Sequence, residues 1–171
     1  INCPAPELLP LEERARVVRE VCERIRGNKL SRGLYDNRCL ERFSEPALHD
    51  DLRELLSQNK GYHEVEEFLL SLILHGKIVQ MMSEVMIFAL DSEMTTECRG
   101  EAIKITKKLG TAIDFSNIKK QLASEETLER GVVRDLVSCL EGEDVSLLFN
   151  LMGRMRSNST PNQMDFFSYG I

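Results

Sequence analysis

The side chains able to do chemistry are few, and their spacing works against catalysis. His49, Asp50 and Asp51 stand together, and an imidazole beside two carboxylates is a donor set that a divalent metal accepts. A hydrolytic metal site needs further ligands from other helices, yet no histidine precedes His49. The triplet therefore reads as acidic charge at a helix start, where the helix dipole favours it. His63 and His75 fall at opposite ends of one predicted helix, roughly 18 Å apart at about 1.5 Å per residue, and cannot share an ion. The cysteines Cys3, Cys22, Cys39, Cys98 and Cys139 are odd in number and scattered, with no Cys-x-x-Cys pair. Such a set reads as reduced thiols, four of them core fillers, and places the chain inside the cell, in cytoplasm or nucleus. No Gly-x-Ser-x-Gly elbow and no glycine-rich phosphate loop occurs. The expectation is a chain that is not an enzyme and holds no cofactor and no metal.

Binding chemistry is better represented. Lys104, Lys107, Lys108, Lys119 and Lys120 have few acidic neighbours in sequence and could form a positive patch for an acidic peptide or a nucleic-acid backbone. Met81, Met82 and Met86 concentrate flexible thioethers, which suit either a core or an adaptable surface. Phe166, Phe167 and Tyr169 follow the polar stretch 157–163, and aromatics on such a tail read as an anchor for the chain's own groove, a second copy or another protein. The basic residues Arg14, Arg16, Arg19, Arg24 and Arg26 alternate with Glu12, Glu13, Glu20 and Glu23, so they are expected to be solvated partners one turn apart.

These groups must be positioned by helices. At 171 residues, 42% apolar and 29% charged, the chain suits one globular domain with its own core. A net charge of −6 gives no global attraction to nucleic acid or an anionic membrane. The longest apolar run, residues 68–74, is far shorter than the roughly 20 residues that span a bilayer. Residues 1–10, with three of the five prolines, read as a lead-in strap without regular structure. Apolar spacing of three and four predicts a helix from Leu11 to the stop at Gly27, a weaker one over 34–43, and one capped by Ser44 that ends near Asn59. Residues 62–90 are apolar on several sides and predict a central helical hairpin, with Gly76 as its left-handed stop. A helix closed by Gly110 follows, then a short helical turn over 118–122, a helix begun by Ser124 and closed by Gly142, and a last helix to about Met155. No period-two alternation survives, so the fold class is all-α, in seven or eight helices. The domain boundaries are 1–10, 11–156 and 157–171.

A weak internal repeat runs through this pattern. Gly76, Gly110 and Gly142 are almost evenly spaced. Residues 96–110 and 128–142 share Glu, an Arg-Gly step and a terminal glycine, and each follows a Ser-Glu-x-Thr stretch, at Ser92 and Ser124. Over residues 57–155 the chain resembles armadillo or HEAT-type helical repeats, though its period is shorter than theirs and it lacks a proline turn between paired helices. The resemblance implies stacked antiparallel helices in a right-handed superhelix, as against an irregular bundle, and a concave face that binds an extended or helical peptide. The functional expectation is a protein-protein interaction module, a scaffold or adaptor in a larger intracellular assembly. It would take its partner in an inter-helix groove near Met81, Met82 and Met86 or near the lysines, with self-association through the tail as a further route. The alternative is a nucleic-acid or ribonucleoprotein adaptor using the lysine set, and no membrane partner is expected.

Overall fold

A computed structural model describes residues 5–29 and 37–157. Among these residues there are nine α-helices, four 3₁₀ turns and no strand. The helices are α1 (Leu11–Arg26), α2 (Asn37–Phe43), α3 (His49–Gln58), α4 (His63–His75), α5 (Met82–Leu90), α6 (Thr96–Leu109), α7 (Ala112–Ser124), α8 (Arg130–Ser138) and α9 (Val145–Ser157). The 3₁₀ turns precede α1, α3, α5 and α9, so four of the five odd-numbered helices are entered the same way. Even helices form a row in which α2 packs on α4, α4 on α6 and α6 on α8. The odd helices flank it, with α3 against α4, α5 and α7 against α6, and α5 against α7.

A constant interval underlies that order. Leu52, Val85, Ile118 and Leu151 occur every 33 residues, one on each odd helix from α3 to α9, and none exposes any surface. On the even helices Leu69, Ala102 and Leu136 are buried at intervals of 33 and 34 residues. Each unit is thus a helix pair whose apolar stripe is incomplete until the next pair covers it. The fold is all-α and compatible with a helical repeat. Polar caps fix the joints: the Thr95 hydroxyl accepts from the Cys98 N–H at 3.3 Å, and Thr111 and Asp114 exchange reciprocal bonds at the start of α7.

Two arginines lock elements that packing alone leaves adjustable. Arg14 is 6% exposed and donates to the carbonyls of Glu7 (2.6 Å), Leu9 (3.0 Å) and Phe43 (3.1 Å), joining the chain before α1 to the end of α2. Arg99 is 2% exposed; it donates to the Ala89 carbonyl at 3.3 Å and to both carboxylate oxygens of Glu125, at 2.9 and 3.1 Å. It therefore ties the ends of α5 and α7 together across α6.

Several sequence expectations are corrected. The proline strap contains a 3₁₀ turn at Pro6–Leu8, because Pro6 falls in the first turn where its missing N–H is harmless. Arg14 is buried rather than solvated, since it shares the stripe of Leu11, Ala15 and Val18. Ser44 caps nothing: its buried hydroxyl has no hydrogen-bond partner, and Glu45 precedes the turn Pro46–Leu48 instead. Residues 62–90 are not a central hairpin. After α4 the chain passes through a left-handed residue, then the 3₁₀ turn Val79–Met81, so α4 and α5 scarcely touch and both pack on α6. The left-handed residue is Lys77 (φ 50°) rather than Gly76. Lys77 and Ile78 donate back to Leu74 and Ile73 in a Schellman arrangement. Gly76 is required for another reason, because a Cβ there would lie 2.7 Å from the Ser44 Cβ. Finally, Ser124 ends α7 instead of starting α8, and the expected short turn at 118–122 is a full helix whose capping box at Thr111 lies further upstream.

Two stability outcomes follow. Replacing Lys77 by glycine relieves a left-handed backbone at an exposed turn and is expected to raise stability by about 1 kcal/mol in urea denaturation. Gly100→Ala should do the opposite of an ordinary helix glycine: the new Cβ would fall 2.1 Å from Asp135 Oδ2. The expected cost is about 1–3 kcal/mol, converted to a gain when Asp135→Ala is introduced alongside it.

Candidate partner-binding groove

The C-terminal half of α6 and the residues closing α8 converge on an open groove of about 440 Å³. Lys104, Lys107 and Lys108 line it from α6, and Ser138, Cys139, Leu140 and Glu141 from the other side. The lysines occupy the last two turns of α6, where cations complement the helix dipole. Leu140 and Cys139 are partly buried and packed against the core, so this wall is mixed apolar and polar. The Ser138 hydroxyl donates to the Asp135 carbonyl at 2.7 Å, which commits its proton within α8.

The electrostatics differ from the expectation. Lys104 lies 3.3 Å from Asp135 and 4.0 Å from Glu101, Lys107 donates to Glu141, and Lys119 donates to Asp144 at 2.6 Å. Three of the five lysines are therefore neutralised by carboxylates, most of them from 25 to 34 residues away, a pairing invisible to a reading of local neighbours. Lys108 and Lys120 are exposed and make no ion pair among the described residues. The bond that Lys107 donates to Glu141 raises the Lys107 pKa, and the bond donated by Lys119 holds Asp144 below its ordinary 3.8. Lys107 and Lys119 also stand over the Phe115 ring, 5.0 and 5.3 Å from its centroid, adding a cation–π contribution.

The remaining sequence candidates are dispersed. Met81 is fully buried and fills the core, because it ends the 3₁₀ turn that enters α5. Met82 and Met86 are half-buried against the core. Phe166, Phe167 and Tyr169 lie outside the described residues. His49 has one ring nitrogen 3.1 Å from the Pro46 carbonyl and the other 3.4 Å from Asp50, a local arrangement at the start of α3. Among the described residues no three His, Cys, Asp or Glu side chains converge as a metal site would require. Cys22 and Cys98 are buried, and burial pushes their thiols up to about 12 and about 11; Cys39 and Cys139 are half-buried and unbridged. No described helix is long and apolar enough to cross a membrane.

Sequence reasoning passed over other residues. Asp135, 7% exposed, sits against Gly100, and its one sequence signal was the shared Arg-Gly step. Val79, Ile87, Ile113, Val145 and Phe149 are all about half exposed or more, although their apolar character alone would place them in a core. What the fold and groove define is a class: stacked helix pairs with a shallow furrow between two even helices. Comparison with family models, with characterised proteins and with solved structures finds no match to this chain.

The Lys119–Asp144 pair has a pH signature. A depressed carboxyl pKa stabilises the fold fully above its unfolded value, and that stabilisation is lost as pH falls through the folded value. Lys119→Met should therefore lower stability near pH 7, with the deficit against the parent chain closing towards pH 3 in urea titrations. A deficit of the same size at both pH values would mean the ion pair is not its source.

Proposed function

We propose that the chain is a non-enzymatic, armadillo- or HEAT-like interaction module of an intracellular assembly, binding a partner peptide or helix in the furrow between α6 and α8. The observation that carries this reading is the furrow itself. It opens on a row of even helices and offers a partly apolar wall at Leu140 and Cys139. Charged groups flank that wall on both sides. Its volume falls in the range of roughly 300–1,000 Å³ typical of recognition pockets, enough for a few side chains of a peptide. Apolar anchoring with a polar rim is the usual division of labour at such sites. Unbridged Cys39 and Cys139 fit a reducing compartment.

Internal pairing of Lys104, Lys107 and Lys119 weighs against the nucleic-acid alternative, because a lysine already matched to a carboxylate gains little from a phosphate. Selection from a displayed peptide library on the immobilised chain tests the reading. Peptides with an apolar anchor are expected at micromolar Kd, weakened at least tenfold by Lys108→Glu. Alkylation of Cys139 in a Cys39→Ser background should weaken them as much. Peptides indifferent to both changes would overturn the assignment of the furrow. Steeply salt-dependent binding of RNA, lost on Lys108→Glu and Lys120→Glu, would overturn the proposal in favour of the nucleic-acid reading.

A further inference from the structure

Lys104, Lys107 and Lys108 follow one another at steps of three and one, so the three ammonium groups leave α6 on one face and line the furrow from one side. Their surroundings are of two kinds. Lys104 is matched deep in the wall: Asp135, 3.3 Å away, is 7% exposed and packed against Gly100, so the contact that seats α8 on α6 also fixes its carboxylate. Glu101 lies 4.0 Å from Lys104 as well, and Arg134 lies 3.4 Å from Asp135, so these charges balance among themselves. Lys107 and Lys108 stand in a different setting. Lys107 donates to Glu141, which lies beyond the end of α8 with a side chain 67% exposed, and Lys108 is exposed with no ion pair among the described residues.

The Lys107–Glu141 pair can be exchanged. An ion pair this exposed contributes little to stability, so replacing one of its members costs little. Lys107 keeps its place without Glu141, because its ammonium stands over the buried Phe115 ring, 5.0 Å from the centroid. Glu141 keeps a partner without Lys107, because its carboxylate also accepts from the Asp144 N–H in the capping box of the turn Gly142–Asp144. Beside the pair, Cys139 and Leu140 supply the partly apolar wall.

We propose that the occupant of this furrow is an acidic amphipathic helical segment. Its apolar side chain rests on Leu140 and Cys139, and a carboxylate about one turn away meets Lys108 and takes the place of Glu141 on Lys107. The inference rests on the furrow reading above and names the chemistry of its ligand. Charge complementarity decides the class. Two exchangeable ammonium groups face one exposed carboxylate, an excess that an acidic side chain completes and a basic one opposes. The apolar wall supplies the affinity, and the carboxylate fixes the position of the anchor along α6.

The test pans two displayed peptide libraries on the full chain, each long enough for about three helical turns. Members of one carry Glu one turn from a varied apolar residue, and members of the other carry Gln there. Glu ligands are expected to bind at least fivefold more tightly than their Gln counterparts, and Lys107→Gln with Lys108→Gln should erase that difference. Glu141→Gln, which keeps an acceptor for the Asp144 N–H, should tighten Glu ligands at least threefold. A water-soluble carbodiimide supplies a second readout. The internal Lys107–Glu141 crosslink is expected to fall at least fivefold at saturating Glu peptide, replaced by crosslinks from the peptide to Lys107 or Lys108. Furrow ligands that bind equally well with Glu or Gln, or that leave the internal crosslink unchanged, would overturn this inference alone. Failure of both libraries to give a ligand sensitive to alkylation of Cys139 in the Cys39→Ser background would overturn the furrow reading and this inference with it.

Discussion

Helices α6 and α8 can approach as closely as they do because two positions lack a side chain. A Cβ on Gly100 would strike Asp135, and one on Gly131 would lie 2.1 Å from the Thr96 Cγ2. The two glycines sit on opposite partners, so each helix supplies a hollow for the other. Much else depends on that contact. It brings Asp135 to Lys104 and, by setting where α8 ends, places Cys139, Leu140 and Glu141 opposite the lysines of α6. Arg99, the neighbour of Gly100, turns the other way and gathers the ends of α5 and α7. One Arg-Gly step thereby serves both the row of even helices and the row of odd ones.

The electrostatic pattern follows from stacking rather than from composition. Lys104, Lys107 and Lys119 find their counterions in the following unit, and Arg53 finds Glu84 in the same forward sense. These pairs are partly exposed, and each contributes little to stability by itself. Their effect is on specificity: opposite charges at matching positions favour one register between units, while the net field of the furrow stays small. Recognition there consequently depends on shape and apolar contact more than on charge.

Much of the architecture was legible in the sequence because amphipathic helices announce themselves by apolar spacing. The stripe from Leu11 to Ile25 and the face from Cys98 to Leu109 predicted α1 and α6 closely, whereas Gly142, expected to close α8, opens the 3₁₀ turn before α9. Misreadings arose where a local signal had two structural uses. Gly76 was read for backbone freedom but is needed for close approach, whereas Lys77 adopts the left-handed turn. Ser44 and Ser124 have the right hydroxyls for caps, yet tertiary packing buries the first and α7 continues through the second. The candidate site was less legible still. A lysine's sequence neighbours do not reveal a carboxylate brought in from the next unit, and a methionine suits either a core or an adaptable surface until its helix is placed: the 3₁₀ turn before α5 carries Met81 inside.

The interval of 33 residues has a consequence for stability. The helix pairs touch mainly their neighbours in the row, so the stability of each pair depends on the interfaces on either side of it. A change at one joint is therefore expected to be felt first by the pairs that adjoin it.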